Sequence, residues 1–416
     1  MNIGKVNIKR FFNKVLLEIY KLLYIKKYLF NNIYIPFIFK LFSLFPVKKD
    51  FVLFAINRLN ELPYNMELIY NLCINNGYKC KLFFTNNFNQ QKNKIIIYFK
   101  QFYHAFCFSK YYARCSYLIV DDYFPYLYSN KPRKGVKVVQ LWHGCGAFKK
   151  FGYSCVEKNW GFSKTTLSMF PIHNTYTDVF VSSSDVIQYY AEAFNCSPSI
   201  IKSLGVPRTD FFFNKNNIYA SSIKLKKMFP EIKERKVILY APTFRGNNAH
   251  DSYLNNFFNY KLLSSSLSDE YVLLTKYHPF TNKVIKSESK KDYHDNFVYD
   301  VTNKINIEDA LCASDIVITD YSSLIFEFSL LERPMIFFAF DLEEYDTDRG
   351  FYFPYQDFVP GPIVMDNESL VNAIINAYSD ENMEKVKIFR DKFMSSCDGN
   401  STERIYNYIF NKKEKG

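Results

Sequence analysis

The sequence contains no CxxC pair, and its nine cysteines form no His/Cys cluster at zinc-binding spacing. An odd set without such a framework reads as reduced thiols in a cytosolic protein, not as a disulfide scaffold. No apolar run approaches the roughly 20 residues of a membrane-spanning helix, because lysines interrupt every candidate. The start of the chain lacks the signal-peptide plan of basic stretch, apolar run and small-residue cleavage site. A GxxxxGK[ST] loop is missing, which argues against P-loop phosphoryl transfer, and no GxGxxG follows a strand, which argues against a nicotinamide dehydrogenase. No internal repeat or long low-complexity linker is present. The expectation is a cytoplasmic protein that does not cross the membrane.

What is present is a long, basic and strongly apolar chain. At 416 residues and 48% hydrophobic it exceeds the roughly 250–300 residues of a single core, so more than one domain is expected. Its 53 Lys+Arg against 41 Asp+Glu leave a net charge of +12, which fits an anionic partner. Nucleic acid ranks lowest among such partners, because no binding motif appears and the basic residues are not confined to one tract. The 43 phenylalanines and 34 tyrosines accompany abundant Asn, Ile and Lys, a compositional bias that carries no functional weight by itself.

Residues 1–45 differ in pattern from the rest of the chain. Phe12, Leu16, Ile19 and Leu23 recur at helical spacing among Lys9, Arg10, Lys14, Lys21, Lys26 and Lys27, and a second apolar stretch from Ile33 to Phe45 is broken by Pro36 and Lys40. A basic, aromatic amphipathic segment of this kind suits an anionic membrane interface. From Phe51 strands alternate with helices: Phe51–Ile56, Lys81–Thr85, Tyr117–Val120, Val138–Leu141, Val179–Val181 and Ile200–Ser203. After Gly205-Val206-Pro207 a second series begins: Val237–Tyr240, Tyr271–Thr275, Phe297–Tyr299, Ile316–Thr319 and Met335–Phe340. The pattern predicts an α/β protein of two Rossmann-like domains facing a cleft. The expected division is a helical segment over 1–45, domains over 46–205 and 206–390, and a C-terminal helical segment over 391–416.

Ligands of open α/β sheets bind beyond the carboxyl ends of the strands, so the residues after each strand matter most. After Val138–Leu141 come Trp142, His143, Gly144, Cys145 and Gly146, then Lys149 and Lys150. A histidine there can act as a general base near neutral pH, and glycine amides with lysines favour phosphate. After Val237–Tyr240 come Thr243 and Arg245, whose guanidinium fork suits phosphate. Lys276-Tyr277-His278-Pro279 follows the next strand, with Pro279 restraining His278 to an extended backbone. After Ile316–Thr319 come Asp320, Tyr321, Ser322 and Ser323, the serines at a helix N-terminus that favours a diphosphate. One turn further, Glu327 can accept hydrogen bonds from ribose hydroxyls. Asp121-Asp122 reads as a solvated turn, and His104, His173, His250 and His294 as structural.

Six segments in this order resemble the CDP-glycerol:poly(glycerophosphate) glycerophosphotransferase family of teichoic-acid and capsule enzymes. They are WHGCGAFKKFG (142–152), SLGVPRTDFFF (203–213), LYAPTFRG (239–246), YHP (277–279), SDIVITDYSSLIFEFSLLERPMIFF (314–338) and DRGFYF with PGP (348–353, 360–362). The resemblance runs from about residue 47 to the C-terminus and leaves out residues 1–45. It implies a GT-B-like fold, no metal requirement in most members, no cofactor beyond the CDP-polyol substrate, and peripheral attachment to the inner membrane face. It implies His143 and His278 as the essential histidines: His143 deprotonates an acceptor hydroxyl, and His278 steadies the departing CMP phosphate with Thr243, Arg245 and the Ser322/Ser323 amides. The expected substrates are CDP-glycerol and a lipid-linked acceptor, with CDP-ribitol or a GT-B sugar transfer as alternatives. A non-enzymatic scaffold is disfavoured by the intact motifs. The turn after His143 reads Gly-Cys-Gly-Ala-Phe where many members carry a Thr-Pro-Leu type segment, a departure that bears on acceptor or polyol identity.

Overall fold

Runs such as Ile316-Val317-Ile318-Thr319 are buried along their whole length, as expected of parallel strands covered on both faces by helices. A computed structural model describes residues 21–57, 59–85, 94–158, 161–243, 245, 258–277 and 296–410. His278, His250 and His294 lie outside the described residues. The chain forms two compact units, the first from Met1–Leu141, Phe162–Val179 and Phe194–Cys196, the second from Trp142–Gly161, Phe180–Ala193 and Ser197–Gly416. The units therefore do not follow a single cut in the sequence, and the turn that begins at Trp142 belongs with the C-terminal part of the chain.

In the first unit β1 (Lys48–Ile56), β2 (Lys79–Phe84), β3 (Cys115–Val120), β4 (Lys137–Gln140) and β5 (Asp178–Phe180) lie in the order β2-β1-β3-β4-β5, every pair parallel. The second unit contains the two-residue strand β6 (Ile201–Lys202) and a six-stranded parallel sheet. That sheet is built from β7 (Lys236–Tyr240), β8 (Tyr271–Thr275), β9 (Val298–Asp300), β10 (Ile316–Thr319), β11 (Met335–Phe338) and β12 (Ile363–Val364), in the order β12-β11-β10-β7-β8-β9. Ile238, Leu273, Ile318 and Ile336 pack one face of it against Leu263, Leu370 and Ile374. The two-sheet α/β expectation is met, and among the described strands only the short β12 has no counterpart among the apolar runs of the sequence.

Pro36 does not break the N-terminal apolar stretch. The helical run 21–42 is continuous, and it widens into a π-type turn at Leu29–Tyr34 directly before Pro36, whose ring brings no N–H to the ladder. Among the described residues no helix is long and apolar enough to cross a membrane. Asp121 and Asp122 are buried, contrary to the solvated turn expected of them. Asp122 accepts the Tyr123 amide at 2.6 Å, and its carbonyl accepts from the Gln140 side chain at 3.3 Å. His173 fits its structural reading: buried, with Nδ1 2.8 Å from the Tyr176 hydroxyl, and its pKa lowered to about 3 by burial.

Candidate active site

The end of β4 leads into a turn whose backbone is unusual at its first residue. Trp142 has φ of 53°, a left-handed conformation that costs energy for a bulky side chain. Its ring stacks on Phe151 at 5.0 Å and lies 4.5 Å from the imidazole of His143. His143 is exposed. Gly146 is required by packing: a Cβ there would sit 2.1 Å from the Phe326 ring, and φ is +61°. Its amide donates to the Ser182 hydroxyl at 3.0 Å, so it is engaged by protein and not offered to phosphate as the sequence suggested. The Gly144 carbonyl accepts from the Tyr190 hydroxyl at 2.8 Å. The Cys145 thiol is pushed up to about 12 by burial, against the opposing influence of Arg208, which makes it a packing group and not a nucleophile.

The two lysines of this turn also have protein partners. Lys149 pairs by its backbone with Phe351, and its ammonium donates to the Tyr345 hydroxyl at 3.3 Å. The Lys150 amide donates to the Gly350 carbonyl at 3.1 Å. Phe148 stacks on Phe351 and Phe358 at 5.0 and 4.9 Å. Segment 148–150 is thereby fastened to 350–352 within the second unit.

At the ends of β7, β8 and β10 the second unit holds a cavity of about 420 Å³. Its size is within the roughly 300–1,000 Å³ of small-ligand sites. His143, Arg208, Lys276, Ser322, Ser323 and Glu327 line it, and Lys149 and Lys150 do not. The serines precede the short helix Leu324–Ser329, and the Ser322 hydroxyl accepts from the Leu324 amide at 3.4 Å. Lys276 donates to the Thr302 and Ile305 carbonyls at 3.1 and 2.6 Å, and burial lowers its pKa. Glu327 is 3% exposed; one carboxylate oxygen pairs with Arg208, while Oε2 is buried without a hydrogen-bond partner among the described residues. A buried oxygen in that state is costly until a donor reaches it.

Thr243, Arg245, Asp320 and Tyr321 form a different structure from the one expected. Arg245 is buried, with Nε and Nη2 donating to Asp341 at 2.6 and 2.8 Å and Nη1 donating to the Thr243 carbonyl at 2.6 Å. Nη1 also lies 2.9 Å from Asp320. The fork assigned to phosphate is therefore occupied by two carboxylates. Burial opposes its charge, but the hydrogen bonds to Asp341 and the attraction of Asp320 outweigh that and raise its pKa. Asp320 also accepts the Thr243 and Tyr321 amides at 2.8 and 2.6 Å, and the Tyr321 hydroxyl donates to Asp341 at 2.9 Å. Tyr321 stacks on Tyr345 at 3.9 Å. The Thr243 hydroxyl is buried without a partner among the described residues.

Of the expected site residues, the cavity brings together His143, Ser322, Ser323 and Glu327. Arg245, Asp320 and Tyr321 form the buried network beside it. Arg208, Lys276 and Asp341 carry no expected role from the sequence motifs. Arg208 follows β6 and Asp341 follows β11, so the strand-end rule that found the others also reaches them.

The family model for CDP-glycerol:poly(glycerophosphate) glycerophosphotransferase matches residues 37–411. The teichoic acid ribitol-phosphate primase of Bacillus spizizenii is 38% identical over 373 residues, covering 89% of this chain and 94% of that protein. The teichoic acid glycerol-phosphate primase of Bacillus subtilis is 34% identical, over 71% of this chain and 73% of its own. The solved wall teichoic acid polymerase TagF superposes with a TM-score of 0.72 at 22% identity, covering 96% of this chain and 97% of that one, and so shares the fold.

Proposed function

Because the chain belongs to the CDP-glycerol:poly(glycerophosphate) glycerophosphotransferase family, we propose that it transfers a polyol phosphate from a CDP-activated donor to a hydroxyl of a teichoic-acid acceptor and releases CMP. The observation that supports this most is the cavity that sets His143 among Ser322, Ser323, Arg208 and Glu327. Glu327 Oε2, buried and unpartnered among the described residues, suits a ribose hydroxyl. Ser322 and Ser323, with the guanidinium of Arg208, suit the diphosphate. His143 takes the proton from the attacking acceptor oxygen as the new O–P bond forms. The bond from phosphorus to the bridging oxygen breaks, and that oxygen leaves on CMP with the electron pair. Positioned proton transfer of this kind contributes about 10²–10⁴ in rate. His278 keeps its proposed part in steadying the leaving phosphate, and the Arg245 network is read as the support that holds Thr243 and Asp320 in place.

The polyol is the finer question. Glycerol is the expectation from the sequence motifs, and similarity to the ribitol-phosphate primase over nearly its whole length favours ribitol. The acceptor is proposed to be lipid-linked and met at the inner membrane face. Incubating the full chain with acceptor and CDP-glycerol, CDP-ribitol or UDP-sugars, with CMP and UDP quantified, tests the reading. CMP release from one CDP-polyol at about ten or more times the rate of the other identifies the donor. UDP release without CMP would replace the proposal with sugar transfer.

A further inference from the structure

A second cavity lies wholly within the first unit and shares no lining residue with the cavity at Ser322 and Glu327. It holds about 260 Å³ and lies beyond the carboxyl end of β3, where Tyr123, Tyr126 and Tyr128 follow the strand. Open parallel sheets bind their ligands at such strand ends. The π-type turn Leu29–Tyr34 contributes Asn31 and Asn32, the helix Lys94–Tyr112 contributes Gln101, and Phe162 and Phe170 add aromatic wall. Widened helical turns of this kind are frequent at functional sites.

The tyrosine side of the cavity is held firmly. The Tyr128 hydroxyl lies 2.6 Å from that of Tyr176 and accepts the Phe124 amide at 3.3 Å, and the Gln140 side chain donates to Tyr176 at 2.8 Å. Burial raises the pKa of both phenols, so they stay neutral. The Tyr123 ring lies 5.2 Å from that of Tyr128. The remaining polar groups are mostly amides. Asn31 and Asn32 donate through their nitrogens to the Lys27 and Met169 carbonyls at 2.9 and 3.3 Å, which leaves their oxygens as acceptors. The Gln101 side chain makes no hydrogen bond among the described residues, so it offers both donor and acceptor. Among the described residues no carboxylate lines the cavity, and the one cation, Lys27, sits 4.3 Å from the centre of the Phe170 ring.

A ligand here must meet amide donors and acceptors together and lay an apolar face on rings. Hydroxyls do the first, because each both donates and accepts. The C–H face of a sugar ring does the second, against the electron-rich face of an aromatic. An open-chain polyol has no such face. A phosphate only accepts, and the Asn31 and Asn32 oxygens would repel it. A nucleotide would bring phosphates with one engaged lysine to meet them, and the volume is below the roughly 300–1,000 Å³ of sites for larger ligands. We propose that this cavity binds one neutral sugar ring, which in the transfer reaction belongs to a glycan-bearing acceptor. The assignment to the acceptor rests on the transfer proposed above. Sugar binding is measured without donor or turnover, so its failure leaves the transfer chemistry standing, and failure of the chemistry leaves the sugar site standing.

The test is saturation-transfer NMR of the full chain with methyl β-glucoside and methyl N-acetyl-β-glucosaminide. Saturable binding of at least one glycoside is expected in the millimolar range, undisplaced by glycerol, inorganic phosphate or CDP. Gln101→Leu removes the free amide, and Phe162→Ala removes a wall ring that is 48% exposed. Each should weaken glycoside binding about threefold or more at an unchanged melting temperature. In CMP release with a glycan-bearing acceptor, Phe162→Ala should raise the acceptor KM by about the same factor, with kcat and the KM for the CDP-polyol unchanged. An unchanged acceptor KM would overturn the assignment to the acceptor and leave a site for a free sugar. Absence of saturable glycoside binding, displacement by any of the three competitors, or wild-type affinity in both variants would overturn the site itself.

Discussion

Arg245 and Arg208 both meet buried carboxylates in the second unit, and they leave those carboxylates in different states. Around Arg245, two carboxylates, a carbonyl and a tyrosine hydroxyl are joined with the guanidinium, whose charge is held more firmly than in water. Around Arg208, Glu327 keeps one oxygen paired and the other buried without a partner among the described residues, at the wall of a cavity. A saturated cluster has nothing left to offer a ligand, whereas a half-satisfied one gains stability when a ligand supplies the missing donor. The first cluster therefore reads as support and the second as binding machinery.

The histidines repeat the contrast. His143 is exposed at the cavity, while His173 is enclosed by tyrosines in the first unit. The largest expected effect is on turnover: His143→Ala should lower CMP release by about 10²–10⁴ while leaving the melting temperature near wild type. An equal loss of stability would move His143 to the structural side.

Asp341→Ala should act in the opposite sense. It strips Arg245 of two hydrogen bonds, and removing one partner of a buried ion pair costs about 3–5 kcal/mol. Urea unfolding should show that loss, and a variant as stable as wild type would show that the cluster is not a support.

The smallest expected effect is pH-dependent. His173 has a folded-state pKa of about 3 against an ordinary 6.5, so the unfolded chain binds more protons between those values. Stability contributed by neutral His173 is therefore full above about pH 6.5 and lost as pH falls toward 3, at about 1.4 kcal/mol per pH unit. His173→Asn, a residue that tolerates the positive φ of 57° at this position, should flatten the fall in unfolding midpoint between about pH 6.5 and 4.5. An unchanged slope would place the acid sensitivity in other groups.

The strands and their ends were legible in the sequence because a buried parallel strand announces itself as an apolar run, and the chemistry sits directly after it. Ile316–Thr319 and Tyr271–Thr275 needed no adjustment. Partnership was not legible. Arg245 looks like a phosphate fork until Asp341, 96 residues away, is brought beside it. Gly146 looks like a phosphate-cradle glycine until the Phe326 ring is seen where its side chain would go. Asp121-Asp122 reads as a solvent turn because nothing local reports the Gln140 and Tyr176 side chains that close over the neighbouring backbone. β12, two residues long, is below what an apolar pattern can register. Each miss of partnership concerns a contact across long sequence separation, whereas each success concerns residues within a few positions of a strand.

Calorimetric titration of CDP into the full chain and its Glu327→Ala variant asks whether the cavity at Ser322, Ser323, Arg208 and Glu327 receives the cytidine diphosphate part of the donor, as proposed. Saturable binding to wild type is expected, weakened about tenfold or more when Glu327 can no longer accept a ribose hydroxyl. Equal CDP affinity in a folded Glu327→Ala protein would contradict it.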